Sequence, residues 1–171
     1  MYQHQSLNNT QVFFLVLLRI AVGWHFLYEG LVKVFTPTWT SSGYLMDSKG
    51  LLAPLYRSIA TNPDILRVVD FLNEWGLILI GAGLILGLFT RASAIAGMLL
   101  LALYYLSHPP LAIYTYALPS EGAYFIVDKI LIELIASGVI FSFPSWWLPG
   151  IDRLIFGKRI NSTDYGRRKQ E

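Results

Sequence analysis

From Leu17 to Phe35 the chain reads LLRIAVGWHFLYEGLVKVF, an apolar run of membrane-crossing length that carries Arg19, His25, Glu29 and Lys33. A hydrocarbon core about 30 Å thick takes roughly 20 helical residues, and a charge turned toward lipid costs roughly 2.5–3.5 kcal/mol on the mildest scale. A helix built from this run must therefore turn its charges away from lipid. At about 100° per residue, with Arg19 at zero, His25 falls near ~240°, Glu29 near ~280° and Lys33 near ~320°, with Gly30 near ~20° and Gly23 near ~40°. The four ionisable groups and both glycines thus share one face. Small residues there let a second helix approach closely, and the i,i+4 spacing lets Glu29 pair with either His25 or Lys33.

The rest of the chain agrees with a membrane setting. Of 171 residues, 54% are hydrophobic and 14% charged, too apolar for an ordinary soluble domain of this size. The expected fold class is all-α: an integral membrane four-helix bundle in one domain over residues 1–171, with lipid as its first partner. The spans are expected at about 12–35, 72–89, 91–106 and 124–143. The second and third are separated only by a tight turn, and His108-Pro109-Pro110 ends the third. The first lacks a basic leader and a small-residue cleavage site, so it is expected to stay in the mature protein. Between spans one and two, GLLAPLYRSIA has the spacing of one apolar helical face and predicts a short outer amphipathic helix. Asn62-Pro63-Asp64 reads as a helix start leading into the second span.

Arg153, Lys158, Arg159, Arg167, Arg168 and Lys169 crowd the segment 151–171, whereas Lys49, Arg57 and Arg67 lie between the first two spans. By the positive-inside rule this basic tail is cytoplasmic, which puts both termini inside. The expected location is a bacterial inner membrane. A net charge of +2, without a basic run interleaved with aromatics, gives no case for nucleic acid. The chain has no cysteine, which excludes disulfides, thiolate nucleophiles and sulfur-ligated clusters.

With that orientation, all four helices bring polar groups to the outer half of the bundle: His25, Glu29 and Lys33 from the first span, Glu74 from the second, His108 from the third, Asp128, Lys129 and Glu133 from the fourth. Lys33, Glu74 and Asp128 lie near span ends, where snorkelling to the interface accounts for them equally well. Lys129 and Glu133 have the spacing of a self-neutralising pair. His25 and Glu29 sit deeper and are the candidates for chemistry or proton handling, weighed against a structural pair that fixes helix packing. Arg19 reads as a packing anchor. A bis-histidine haem between His25 and His108 fails on mismatched depth. A metal set of His25, Glu29, Glu133 and Asp128 has permissible ligands without a diagnostic spacing, so no metal is assigned. No phosphate loop or nucleophile elbow occurs.

The same stretch resembles the first-helix signature of the DoxX-like family: Arg19, Gly23, Phe26, Gly30 and Lys33 follow in its order. EWGLILIGAGLILGLFTRASAIAG, with Thr90-Arg91 at the hairpin, is similar to the family's second signature. WTSSGYL resembles a segment of the DoxD branch, which includes the small subunit of thiosulfate:quinone oxidoreductase. The resemblance implies a compact four-helix inner-membrane protein associated with redox complexes, in some members through quinone. It supplies no catalytic residue list and carries over only Arg19, Gly23, Gly30, Lys33 and Arg91 as signature positions.

Two functional expectations follow. In the first, the chain is an accessory or quinone-interacting subunit of a redox complex, binding a quinone or small anion in an outer-half pocket. Its candidate residues are His25 and Glu29, with Tyr28, Lys33, Glu74, Tyr104, Tyr105, His108, Asp128 and Glu133 around them. No cofactor is held covalently, and electrons arrive from a redox partner subunit or from the substrate. In the second, the chain is a non-catalytic anchor or assembly factor whose buried charges specify packing. A small transporter is a weaker third, since no inverted repeat is visible. Oligomerisation is compatible with each.

Overall fold

A computed structural model of the chain describes residues 7–111, 113–117, 125–143 and 148–155. The described residues form helices and no β-strand: α1 Asn9–Val34, α2 Ser42–Met46, α3 Ala53–Thr61, α4 Pro63–Leu86, α5 Thr90–Ser107 and α6 Lys129–Ser142. Three of them, α1, α4 and α5, are long and apolar enough to cross a membrane. α6 differs from the expected fourth span. Residues 125–128 are not helical, and Asp128 accepts the Leu131 N–H at 2.8 Å to cap a helix of 14 residues. At about 1.5 Å per residue α6 rises only about 21 Å, short of the roughly 30 Å that a span must cover. The apolar run at 125–128 misled the reading because hydropathy alone does not mark a cap. The described chain is therefore a three-span helical protein with a shorter fourth helix against it. The basic tail beyond Ile155, together with Tyr124, lies outside the described residues.

Local chemistry sets the other boundaries. Asn8 and Gln11 form a capping box at the start of α1. The Asn62 side chain accepts from the Asp64 and Ile65 N–H groups, and Pro63 takes the first position of α4, where its missing N–H costs nothing. α4 ends at Gly87, left-handed at φ 63°, and Phe89 takes the same unusual conformation at φ 49° to begin α5.

α1 packs chiefly on α4, and α5 on α6. The α1–α4 seam is closer than side chains normally permit. A Cβ on Gly23 would come within 2.9 Å of Leu84 Cβ, and one on Gly30 within 2.9 Å of the Ile78 nitrogen, while one on Gly81 would collide with the Leu27 backbone. Phe26, Leu77, Ile80, Leu84, Ala94, Leu101 and Ile140 fill the core between the helices. Phe13, Trp24, Phe71, Leu79, Leu99 and Ile135 stand exposed on the outer faces, as lipid-contacting residues do.

The single outer helix expected between the first two spans is two helices, α2 and α3, pinned on the C-terminal end of α5. The last carbonyls of a helix have no partner within it, and here side chains and loop amides supply them. Tyr56 Oη donates to the Leu103 carbonyl at 2.8 Å, and Ser48 Oγ to that of Ser107 at 2.9 Å. The Lys49 and Gly50 N–H groups also reach Ser107 O. Burial pushes the Tyr56 phenol up from its usual range.

At the opposite end, Arg19 is 3% exposed and Asp152 2% exposed. Arg19 Nη2 donates to the Pro149 carbonyl at 2.7 Å. Asp152 accepts the Phe89 and Thr90 N–H groups at 2.8 and 2.9 Å, and its own N–H donates to Gly87 O. Asp152 thus acts from about sixty residues away as the cap that the first turn of α5 lacks locally, and it holds Phe89 in its left-handed conformation. The guanidinium lies against Gly87 and Gly150, where a Cβ would come within 3.0 Å or less of Nη1.

Candidate functional site

The charged face of α1 divides along its length. Its Arg19 end is closed, whereas Lys33, His25 and Glu29 side chains retain 16%, 46% and 47% of their exposure. Full burial, expected from the cost of charge in lipid, holds for Arg19 alone. The other three border a cavity of about 490 Å³ enclosed by α1, α4, α5, α6 and the α1–α2 connection. Its lining is mainly apolar, with Phe26, Leu77, Leu101 and Ile130 beneath and polar groups converging from each element.

Two ion pairs order that polarity. His25 Nδ1 donates to Glu133 Oε1 at 2.7 Å, a contact between α1 and α6. Glu29 pairs with Lys33, Nζ to Oε2 at 2.7 Å. Glu133, expected beside Lys129 on its own helix, is thus engaged across the cavity, and Lys129 lines the same wall. Asn73 Nδ2 donates to the Tyr104 hydroxyl at 2.6 Å, so that phenol is oriented from α4.

The roof is the segment Trp39 to Tyr44, held from two sides. Asp70 on α4 accepts the Thr40 hydroxyl at 2.8 Å, and the Ser41 N–H and hydroxyl at 2.9 and 2.5 Å. The Lys33 ammonium sits 5.5 Å from the Trp39 ring centre, within cation–π range. Burial raises the Tyr44 phenol far above its usual range, so this group is a hydrogen-bond donor at any physiological pH.

Of the residues singled out from sequence, the cavity gathers His25, Glu29, Lys33, Tyr104 and Glu133. The others lie elsewhere. Tyr28 is 55% exposed on the lipid side of α1, because one step from Glu29 turns a side chain through about 100°. Glu74 is half-buried, and its carbonyl abuts Gly30 on the α1–α4 seam. Tyr105 turns to α6 and donates to the Ile126 carbonyl at 2.8 Å. Asp128 is consumed as a helix cap, which also removes it from the ligand set considered for a metal. Among the described residues no group of three or more His, Asp and Glu is placed to hold an ion. Arg91 is exposed and faces the Phe141 ring at 5.1 Å.

His108 lies behind the cavity, stacked on Tyr44 with ring centres 4.0 Å apart and flanked by Tyr116 at 4.7 Å. Burial holds its imidazole below the usual range, the nearby Asp47 acting in the opposite direction and Lys49 with it. The same burial pushes Tyr116 up to about 12.

Sequence reasoning did not find Asn73, Trp39, Tyr44 or Asp70 as parts of one site. Trp39 and Tyr44 stand in WTSSGYL, quoted only as a resemblance, and Asn73 and Asp70 carry no local signal because their partners are about 30 residues away along the chain.

Comparison with known families gives one finding. Residues 14–109 match the model of the DoxX family. No curated protein and no solved structure matches the chain. The matched residues hold the α1–α4 glycine seam, Arg19, the hairpin and most of the cavity, and the chain belongs to the DoxX family of membrane proteins.

Proposed function

We propose that the chain is the quinone-interacting membrane subunit of a redox complex, with the α1–α6 cavity as its binding site. The observation that carries this reading is the His25–Glu133 pair at 2.7 Å on the wall of a mainly apolar cavity of about 490 Å³. A quinone needs an apolar slot of a few hundred cubic ångströms and a few groups that donate hydrogen bonds or protons to its carbonyl oxygens. His25 backed by Glu133 is such a donor, Tyr104 oriented by Asn73 is a second, and Trp39 offers an aromatic face. With no cysteine in the chain, electrons come from a partner subunit. The concentration of Lys and Arg beyond residue 150 puts the hairpin end of the bundle in the cytoplasm of a bacterium and the cavity toward the outer leaflet.

The full chain in lipid nanodiscs, titrated with a short-chain quinone, should quench tryptophan emission saturably. His25→Ala and Glu29→Gln should weaken that binding. No saturable quench, or affinities unchanged in both variants, overturns the site. The anchor reading draws on the Arg19–Asp152 contact, which shows this chain spending buried charge on packing alone. It predicts instead that a soluble partner is retained in full by variants with the cavity charges neutralised.

A further inference from the structure

Protons for a site inside the bilayer must come from water, and one polar chain of side chains leads from the cavity roof to the aqueous edge. Tyr44 lines the cavity, and its side chain is hydrogen-bonded to that of Ser107. Ser107 Oγ lies 3.0 Å from His108 Nδ1. The other ring nitrogen, Nε2, is buried, has no hydrogen-bond partner among the described residues, and lies 4.0 Å from Asp47 Oδ2. That gap is closed by a small side-chain rotation or one bridging water. Asp47 is in turn 3.8 Å from Lys49, a third exposed on the surface. A buried imidazole with one nitrogen engaged and the other open toward a carboxylate is costly to keep unless both nitrogens are used.

We infer that Asp47, His108, Ser107 and Tyr44 form a proton relay that feeds the cavity from the aqueous side. The inference rests on the quinone reading of the cavity. Reduction of one quinone to quinol takes two electrons, delivered by a reduced carrier of a partner subunit, and two protons. The Tyr44 hydroxyl gives one proton to a carbonyl oxygen and recovers it from Ser107 Oγ–H. Ser107 recovers its proton from His108 Nδ1–H, and Asp47, protonated from water, gives its proton to Nε2. Protonated His25 gives the second. The stacking of His108 between Tyr44 and Tyr116 holds the ring in the plane that keeps both nitrogens aimed along the path. The charged and titratable groups facing that ring are Asp47, Lys49, Tyr44 and Tyr116. A neutral imidazole, favoured by burial between two phenols, can take a proton on one side while releasing one on the other.

The test uses the full chain in nanodiscs on an electrode, with a short-chain quinone reduced electrochemically, so that no partner subunit is needed. His108→Phe keeps the stack and removes both nitrogens, and Tyr44→Phe removes only the hydroxyl. Each should leave His108-independent quinone affinity within a few-fold while slowing proton-coupled reduction on the order of 100-fold. Each should also abolish the solvent isotope effect and flatten the rise in rate as pH falls. Imidazole bands that shift on isotopic labelling of histidine should appear in the reduced-minus-oxidised infrared difference spectrum and be lost in His108→Phe. Quinone binding with rate, pH profile and infrared bands unchanged in both variants overturns the relay alone. Absence of quinone binding to the unaltered chain overturns the relay together with the reading on which it rests.

Discussion

The two ends of α1 bury charge in opposite ways. At the hairpin end Arg19 and Asp152 are both at most 3% exposed, and they are enclosed by Gly87, Gly150 and backbone carbonyls that leave no room for a ligand. At the other end His25, Glu29, Lys33 and Glu133 border an open cavity of about 490 Å³. Charge at the first end satisfies backbone groups that a left-handed hairpin would otherwise orphan. At the second end it is paired across helices while keeping contact with empty volume. Buried charge in this fold therefore marks function only where it meets space, and the same helix supplies both cases.

The largest expected effect lies at the closed end. Asp152→Ala removes the acceptor of two N–H groups and leaves Arg19 without its countercharge, which for a buried pair costs about 3–5 kcal/mol. Thermal unfolding of the full chain in detergent should show a correspondingly large fall in Tm. Arg19→Met combined with Asp152→Asn should be less destabilised than the sum of the two single changes, because both act in one network. A loss within 1 kcal/mol, about what exposed pairs give, would erase the distinction between the ends. Next comes the seam that aligns them. Gly81→Ala drives a methyl group into the Leu27 backbone and should cost roughly 1–3 kcal/mol. Because α1 carries His25, it should also weaken quinone binding in the nanodisc titration.

How much of this was legible beforehand divides along the same line. The three spans, the α4 start at Asn62-Pro63 and the division of α1 into faces follow from local periodicity and capping, so they could be read directly. Arg19 as a packing anchor could also be read, but Asp152 could not. It lies in PGID with no spacing signal, and its partners Phe89 and Thr90 are more than 60 residues earlier. Asp128 was misplaced for a related reason, since a carboxylate at the head of an apolar run looks the same whether it caps a helix or faces a pocket. The cavity itself depends on how α6 leans on α5, a tertiary fact with no sequence period.

At the open end smaller effects on stability are expected, paired with larger ones on binding. Glu133→Gln keeps the shape of the wall and a hydrogen-bond acceptor for His25 while removing the charge. With the His25 side chain 46% exposed, the pair is screened by water and its loss should change the melting temperature little. Quinone affinity should nonetheless fall about tenfold, the size of one weakened charge-assisted hydrogen bond. A large drop in stability with unchanged affinity would make this end a second packing device and remove the contrast.

The smallest effect sharpens the comparison at a third place, between the wet cavity and water. His108 has its pKa lowered, chiefly by burial, so below its ordinary value of about 6.5 the unfolded chain takes up more protons than the folded one. Stability from the neutral imidazole is therefore complete above about pH 6.5 and declines as pH falls through that value toward the lower folded pKa. Carboxylates at the cavity titrate lower, near pH 4, so the comparison belongs between about pH 7 and pH 5. Over that window the melting temperature of the unaltered chain should fall more steeply than that of His108→Phe, which has no group to protonate there. Parallel curves would show that the ring charges as freely in the fold as outside it, and that its stack on Tyr44 and Tyr116 is open to water rather than a closed step between the surface and the cavity.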